Sequence, residues 1–282
     1  MNKVSNNPLA EFFRRSKDAI GILRQAKTAT EPATLVAPTI NNEMPQAEIT
    51  DPTVKEITSI DLRRYFSDKL TGTGLEIGPL HRPLPTHPGL KMVYIDRYTV
   101  DQLRQHYPEL KDLPLVEPDI IGDGETLSTV KSGSYDCLVS AHVIEHMKNP
   151  LGSLERWCRV LKPGGKIYLI VPDKRAIFDH HRVRTTLEHI ILDYKRPSAE
   201  RDFEHCLDYA KFVHGKSGNE ALIFADHIIK TNYSIHYHVF IPEDTVKLVE
   251  WFSTNVRHLS IIEGPVMTPK SDEFHLLLQL KK

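Results

Sequence analysis

The stretch TGTGLEIGPLHRPL, residues 71–84, decides how the rest of the chain is organised. Leu75 and Ile77 predict a short buried strand, and Glu76 and Gly78 stand at its end. A glycine at the end of a strand lets a ligand come close to the backbone. The stretch therefore predicts a strand that leads directly into a ligand-binding turn.

A second apolar run, residues 92–95, ends at Asp96, which follows Glu76 by twenty positions. Nucleotide-binding α/β units place the acceptor for the ribose hydroxyls about 20 residues after the first turn. The dinucleotide fingerprint G-x-G-x-x-G is absent, because Leu80 and Arg82 stand where further glycines would be. The pattern favours a single nucleoside over NAD.

Composition describes an ordinary globular chain of 282 residues, with 40% hydrophobic and 26% charged residues. A net charge of −1 gives no global attraction to nucleic acid or to an anionic membrane. The three cysteines form no C-x-x-C pair and lie in apolar contexts, which is typical of reduced core residues. Without an apolar run of about 18 residues or a signal peptide, the expectation is a cytoplasmic protein.

Three regions follow from the changes in pattern along the chain. Residues 1–27 carry six basic and two acidic residues, and they predict an amphipathic helix. Such a helix either contacts a membrane surface or a partner, or packs on its own domain. Residues 28–56 contain four prolines and lose apolar periodicity, which predicts a flexible linker. Residues 57–282 are the predicted main domain.

Near-continuous apolar strands alternate with helices through the main domain, which predicts a parallel sheet covered on both faces. Asn149 and Pro150 predict the start of one helix, as N-cap and first helical residue. Residues 174–241 interrupt the alternation with helices, the first of them opened by a predicted capping box of Thr185 and Glu188. The fold class is therefore α/β, Rossmann-like, with a helical insertion after the fifth strand.

Five segments in this order resemble the class I S-adenosylmethionine-dependent methyltransferases: LEIGPLHRPL, YID, GDGETL, YDCLVSAHVIEHMKNP and VLKPGGKIYLIVPD. The resemblance implies a seven-stranded sheet whose last strand runs antiparallel between the fifth and sixth. The segments VPDKRAIFDHHRVRTTLEHIILDY and HYHVF are similar to those of bacterial methyltransferases found with sugar- and polysaccharide-modifying enzymes.

The resemblance implies S-adenosyl-L-methionine as cofactor and a role for each matched position. Asp96 would accept bonds from both ribose hydroxyls, and Asp123 would take the adenine amino group beside the Gly124 backbone. The remaining cofactor-binding positions are Glu76 and Gly78 on the methionine side, Pro79 and Leu80 in the turn, and Ser140 to His142 over the cofactor. Leu80 and Arg82 depart from the glycines of the common motif.

A hydroxyl acceptor needs a base, which contributes about 10²–10⁴-fold to the rate. Related sugar O-methyltransferases have a histidine base in the loop after the fourth strand and an acid after the fifth. This comparison implies Glu145 and His146 as catalytic residues and Asp173 as the group that orients His146. The alternative, that Glu145 and His146 are structural, stays open.

Eight of the fifteen histidines fall within residues 174–241. One interpretation is an acceptor pocket whose side chains bond sugar hydroxyls or an anion; its members are Asp179, His180, His181, Arg182, His236 and His238. A divalent metal held by Asp179 and several histidines is a sharper interpretation, but no spacing such as H-E-x-x-H supports it, so no metal is predicted. Dispersed surface histidines are the third interpretation and suit His189, His205 and His214 best.

The prediction for function is a methyltransferase that O-methylates a sugar or glycan precursor under a helical lid. Two alternatives remain: a methyltransferase for another small metabolite, lipid or quinone, and a scaffold that keeps the fold without turnover. Nucleic acid is not an expected partner, because the chain lacks a basic, aromatic groove.

Overall fold

The computed structural model describes residues 58–268 and 271–282. The helix predicted over residues 1–27 and the linker over residues 28–56 lie outside the described residues. The helices are α1 (Ser59–Ser67), α2 (Val100–His106), α3 (Pro150–Val160), α4 (Leu187–Lys195), α5 (Ala199–Phe212), α6 (Gly218–Thr231) and α7 (Pro242–Asn255). The strands are β1 (Gly72–Ile77), β2 (Leu90–Asp96), β3 (Ile120–Ile121), β4 (Tyr135–Ala141), β5 (Leu161–Pro172), β6 (Leu259–Val266) and β7 (Glu273–Leu280).

The strands of the described residues form one seven-stranded sheet with the order β3-β2-β1-β4-β5-β7-β6. Strands β1 to β5 pair in parallel, and β7 lies antiparallel between β5 and β6. The predicted seven-stranded, mostly parallel sheet is confirmed. Ile77 at the end of β1 pairs with Ile95 on β2 and with Ser140 on β4. The carboxyl ends of these three strands therefore meet at one edge, where open α/β sheets bind ligands.

Side chains alternate between the two faces of the sheet, and each face carries its own apolar cluster. Leu75 and Ile77 of β1 pack on the face that α3 covers with Trp157. The opposite face holds Phe66 of α1, which is fully buried and stacks on Tyr168 with ring centroids 5.0 Å apart. Burying one such side chain contributes about 1.5–3 kcal/mol, so both layers help to hold the strand ends in place.

Helix α3 begins where the sequence predicts, after the N-cap Asn149. The Asn149 side chain accepts a hydrogen bond of 2.8 Å from the Gly152 amide, and Pro150 takes the first helical position. All three cysteines, Cys137, Cys158 and Cys206, are free and buried, as expected of reduced core residues. Among the described residues, no helix has the length and apolar character needed to cross a bilayer.

The start of α4 differs from the prediction by one residue. Thr186, rather than Thr185, is the N-cap, and its hydroxyl accepts a hydrogen bond from the His189 amide. The Thr185 hydroxyl instead accepts a bond of 3.0 Å from the Val239 amide, and this tertiary contact decides the boundary. Glu188 therefore does not complete a capping box. Helices α4, α5 and α6 then lie between β5 and α7.

Candidate functional site

The turn after β1 has a left-handed backbone at two positions. At one of them this chain has leucine, where the common motif has glycine. Gly78 has a φ of 59° and Leu80 a φ of 47°. A Cβ built on Gly78 would meet only Val143 Cγ2, at 3.8 Å, so the space beside this glycine is open. Pro79 accepts a bond from the Arg82 amide at 3.0 Å, and Leu80 accepts one from the Val116 amide at 2.7 Å. The turn is thus held by backbone bonds and forms an open cradle.

Glu76 supports this turn from beneath. Its two carboxylate oxygens lie 3.0 and 3.1 Å from the Leu84 amide, which donates to them, and the residue is 0% exposed. Burial raises the pKa of Glu76 to about 7, although the Leu84 amide and the charge of Arg63 oppose the shift. The Glu76 carboxylate therefore holds the loop at Leu84, and its place on the methionine side stays a prediction.

Asp96 ends β2 beside the same turn. Its carboxylate accepts hydrogen bonds from the backbone amides of Arg97 and Tyr98, and burial raises its pKa to about 6. The residue is 8% exposed, so it is nearly enclosed by protein. An ionised acceptor at this strand tip has the chemistry that a pair of ribose hydroxyls requires.

Asp123 and Gly124 lie at the end of β3. Asp123 is exposed, and its Oδ1 accepts a bond of 2.7 Å from the Thr126 amide. A Cβ on Gly124 would come within 2.5 Å of Ile77 Cγ2, so the close approach of this loop to β1 requires glycine. Glu125, which the sequence reasoning missed, accepts bonds of 3.1 Å from the Lys148 and Asn149 amides. It thereby joins this loop to the loop after β4.

Three imidazoles surround the Glu145 carboxylate, two from the loop after β4 and one from the segment before α7. We call Glu145, His142, His146 and His236 the Glu145 centre. Glu145 is 1% exposed, and its carboxylate oxygens accept no hydrogen bond from the described part of the chain. Its Oε1 lies 3.9 Å from His142 Nδ1 and 4.0 Å from Nε2 of both His146 and His236. Burial raises the pKa of Glu145 above its ordinary value.

The outward-facing nitrogen of each imidazole in the Glu145 centre meets an acceptor. His146 Nδ1 lies 2.9 Å from the Ile235 carbonyl and 3.0 Å from the Ser234 hydroxyl. The nitrogen His236 Nδ1 is 2.5 Å from Asp179 Oδ2, and His142 Nε2 is 2.6 Å from Glu273 Oε2. For His146, a proton on the outward Nδ1 leaves the lone pair of the inward Nε2 facing Glu145. Burial, reinforced by the charge of His236, holds the pKa of His146 well below its usual range.

Asp173 does not orient His146, contrary to the prediction. Its carboxylate is paired with Arg175, whose Nε lies 2.9 Å from Oδ1, and it also accepts the Arg175 amide. The ion pair follows from the turn directly after β5, where the two side chains are two positions apart. Ile235 and Ser234 perform the orienting role instead, and nothing in the sequence pattern singled them out.

Of the six residues predicted for an acceptor pocket, Asp179, Arg182 and His236 are bonded to one another, and the other three lie elsewhere. Asp179 and Arg182 are 0% and 4% exposed and pair with each other at 2.9 Å, so both are enclosed by protein. Arg182 Nε also pairs with Asp208 at 2.7 Å, which completes its enclosure. His180 and His181 are exposed and lie against each other. Within the predicted set, His236 alone reaches the Glu145 centre.

His238, the last member of that set, is 0% exposed and lies elsewhere. It packs with His189, His205 and Asp193, so these histidines are not dispersed over helix surfaces as one interpretation had it. The sequence carried no recognised spacing for this grouping, because its members come from α4, α5 and the segment before α7.

Comparison with known protein families finds a match for one part of the chain. Residues 71–169 match the family model described as "Methyltransferase domain". These residues include β1, β2, the turn, Asp96 and the Glu145 loop. Residues 71–169 are thus similar to methyltransferase domains, and the match covers about a third of the chain.

An uncharacterized 37.1 kDa protein in transposon TN4556 of Streptomyces fradiae is 31% identical over 102 residues. The match spans 36% of this chain and 28% of that relative. The plantazolicin methyltransferase BpumL in complex with S-adenosylhomocysteine is 13% identical, with a TM-score of 0.42 over 78% of this chain and 80% of that one. A Rhodobacter sphaeroides protein described as a Zn-dependent alcohol dehydrogenase is 12% identical, with a TM-score of 0.49 over 80% and 91%. TM-scores below 0.5 identify no function for this chain.

The residues present fit S-adenosylmethionine, the cofactor that the sequence resemblance implies. The space beside Gly78 is open, and Asp96 offers a carboxylate at the neighbouring strand tip. Ser140 Oγ, at the end of β4, is buried and finds no hydrogen-bond partner within the described ranges. An open cradle beside an unpartnered polar atom is the arrangement expected where a polar ligand binds.

Proposed function

We propose that the chain is an S-adenosylmethionine-dependent methyltransferase that methylates a hydroxyl oxygen of a sugar or glycan precursor. The observation that carries the proposal is the bond of 2.9 Å between His146 Nδ1 and the Ile235 carbonyl. This bond places the imidazole proton on Nδ1, so the lone pair is on Nε2. Its Nε2 thereby faces the Glu145 centre as a proton acceptor.

When bound, the cofactor supplies a methyl group on a positively charged sulfur. Asp96 would hold its nucleoside end and the open turn at Gly78 its methionine end, and the Glu145 loop follows the neighbouring strand β4. The chain therefore has two tasks, to position an acceptor hydroxyl and to remove its proton. Positioning supplies most of the rate in such a transfer, because the protein needs no covalent intermediate.

His146 takes the acceptor proton on Nε2 in this proposal. Burial keeps its imidazole neutral at neutral pH, so the base needs no prior deprotonation. Glu145 stands 4.0 Å from the same nitrogen and stabilises the imidazolium that forms. His236, oriented by Asp179, faces the same space and is placed to bond a sugar hydroxyl.

The experiment is a turnover assay on the full chain with labelled S-adenosylmethionine and matched acceptor panels. One panel holds nucleotide sugars and oligosaccharides, and the other holds quinols, phenols, amines and lipids. Methyl transfer to a sugar hydroxyl supports the proposal. Transfer confined to the second panel would replace the sugar acceptor, and cofactor binding without any transfer would favour a scaffold.

A further inference from the structure

Four side chains converge outside the Glu145 centre, and we call His189, Asp193, His205 and His238 the Asp193 cluster. We propose that the Asp193 cluster binds one Zn²⁺ ion and closes around it as a structural site. His189 and Asp193 lie one turn apart on α4, His205 comes from α5, and His238 precedes α7. One ion would therefore join three separate segments of the chain.

Distances within the Asp193 cluster match a tetrahedral ligand set. Asp193 Oδ2 lies 3.2 Å from His189 Nε2, 3.4 Å from His205 Nε2 and 3.8 Å from His238 Nε2. The Nε2 atoms of His189 and His205 are 3.4 Å apart. Ligands at about 2.0–2.1 Å from a tetrahedral ion stand roughly 3.4 Å from one another, so a zinc ion fits the enclosed space.

The Asp193 carboxylate is built to receive a cation. The residue is 3% exposed, and its Oδ2 accepts no well-formed hydrogen bond from the described ranges. Its other oxygen, Oδ1, is held by Arg201 Nε at 2.5 Å, which fixes the carboxylate orientation. Metal-binding carboxylates are commonly held in this way by a second partner.

The types of ligand atom in the Asp193 cluster indicate which metal ion it would bind. Three imidazole nitrogens and one carboxylate oxygen suit zinc, and they disfavour calcium or magnesium, which prefer oxygen ligands. Four protein ligands leave no position open for a substrate or water, which is the mark of a structural site. His205 and His238 are 6% and 0% exposed, so the ion would be screened from solvent on that side.

The position of the Asp193 cluster indicates that the ion would stabilise the loop beside it. The His238 amide donates to the Glu145 carbonyl at 3.1 Å, and His238 Nε2 lies 3.2 Å from the Lys148 carbonyl. An ion at the cluster would therefore fasten α4 and α5 against the loop that carries the Glu145 centre. The proposal does not depend on the acceptor or on turnover.

The test measures metal content and metal binding on the full chain. Protein purified without chelator is expected to hold one equivalent of zinc by elemental mass spectrometry. After treatment with EDTA, calorimetry with ZnCl₂ is expected to show one site, and the melting temperature is expected to rise on zinc addition. Cobalt substitution is expected to produce the intense visible bands of a four-coordinate ion.

Matched variants locate the ion. His205→Gln and Asp193→Asn are expected to lose the zinc, and Arg201→Gln is expected to weaken binding about 10–100-fold. His227→Ala, at an exposed position on α6, and His236→Ala, in the Glu145 centre, are expected to keep it. Calorimetry on the unmodified chain decides the matter even if a variant does not fold.

Three results would overturn the proposal. One is the absence of zinc together with no binding of Zn²⁺ to the EDTA-treated chain, which would mean that the four side chains hold one another without an ion. Another is zinc lost in His236→Ala but kept in His205→Gln, which would move the metal to the Glu145 centre. The third is a six-coordinate cobalt spectrum, which would contradict the closed tetrahedral site.

Discussion

His142 Nε2 lies 2.6 Å from Glu273 Oε2, although 131 positions separate the two residues. The antiparallel strand β7 creates this contact, because its first residue, Glu273, pairs with Pro172 at the end of β5. The same carboxylate pairs with Arg63 of α1 at 2.7 Å. Burial lowers the pKa of His142, but the bond with Glu273 and the charges of Glu145 and Glu273 together outweigh it, so the net pKa is raised. Glu273 thus joins α1, β7 and the candidate site.

Glu273→Gln should lower the pKa of His142 and destabilise the fold by roughly 3 kcal/mol, because Arg63 would lose a buried partner. The His142 contribution to stability is complete below its unfolded pKa of 6.5 and is lost as pH rises through the folded value. Urea unfolding and imidazole NMR between pH 5 and 9 measure both effects. Glu263→Gln is the control, since it breaks a partly exposed pair with Lys69. Equal stability of the two variants would refute the expectation.

His146→Ala should reduce turnover about 10²–10⁴-fold while leaving cofactor affinity unchanged. Because burial holds the pKa of His146 well below its usual range, titration of this group should not reduce the wild-type rate between pH 8 and 6. Single-turnover rates and calorimetry with S-adenosylhomocysteine separate chemistry from binding. His180→Ala, at an exposed position, is the control. A wild-type rate for His146→Ala would assign Glu145 and His146 to structure alone.

Asp96→Asn should weaken cofactor binding about 10–100-fold, since a hydrogen bond to a charged acceptor contributes about 1.5–3 kcal/mol. The amide also places a donor where two hydroxyls need an acceptor. Isothermal calorimetry with S-adenosylmethionine measures the loss. Asp101→Asn on the exposed face of α2 changes the same charge without touching the site. Equal affinity in both variants would remove Asp96 from the cofactor site.

Glu76→Gln should stabilise the chain at high pH. The pKa of Glu76 is raised to about 7 in the folded state from 4.5, so the wild type loses stability as pH rises from about 4.5 to 7. Glutamine mimics the protonated form and still accepts the Leu84 amide. The advantage of the variant should be near zero below about pH 4 and at most roughly 3 kcal/mol at pH 8. A pH-independent difference in urea unfolding would contradict the raised pKa.

Leu80→Val should disturb the turn more than Leu80→Gly. A β-branched residue is disfavoured at the φ of 47° found at Leu80, whereas glycine adopts it freely. The valine variant should lose about 1–3 kcal/mol of stability and bind S-adenosylhomocysteine more weakly. The glycine variant should retain binding. Thermal melts with and without ligand make the comparison, and the reverse order would show that the leucine side chain, not the backbone, shapes the turn.

The sheet could be predicted from the sequence because strand periodicity and helix signals depend on short windows of residues. The apolar run at the end of β2, the cap at Asn149 and the buried Trp157 each follow from a short window of residues. The error at α4 arose from the same locality, because Thr185 bonds the distant Val239 amide. A capping pattern does not reveal that its first residue is already engaged elsewhere in the fold.

The sequence by itself determined the order of strands and helices, the turn after β1 and the acidic residue at the tip of β2, because these depend on neighbours along the chain. The tertiary structure alone decided which histidines stand together. Glu145 meets His236, and Asp193 meets His238, only after β5 and the helices that follow it fold back over the strand ends. Such contacts join residues tens of positions apart, and no spacing along the chain encodes them.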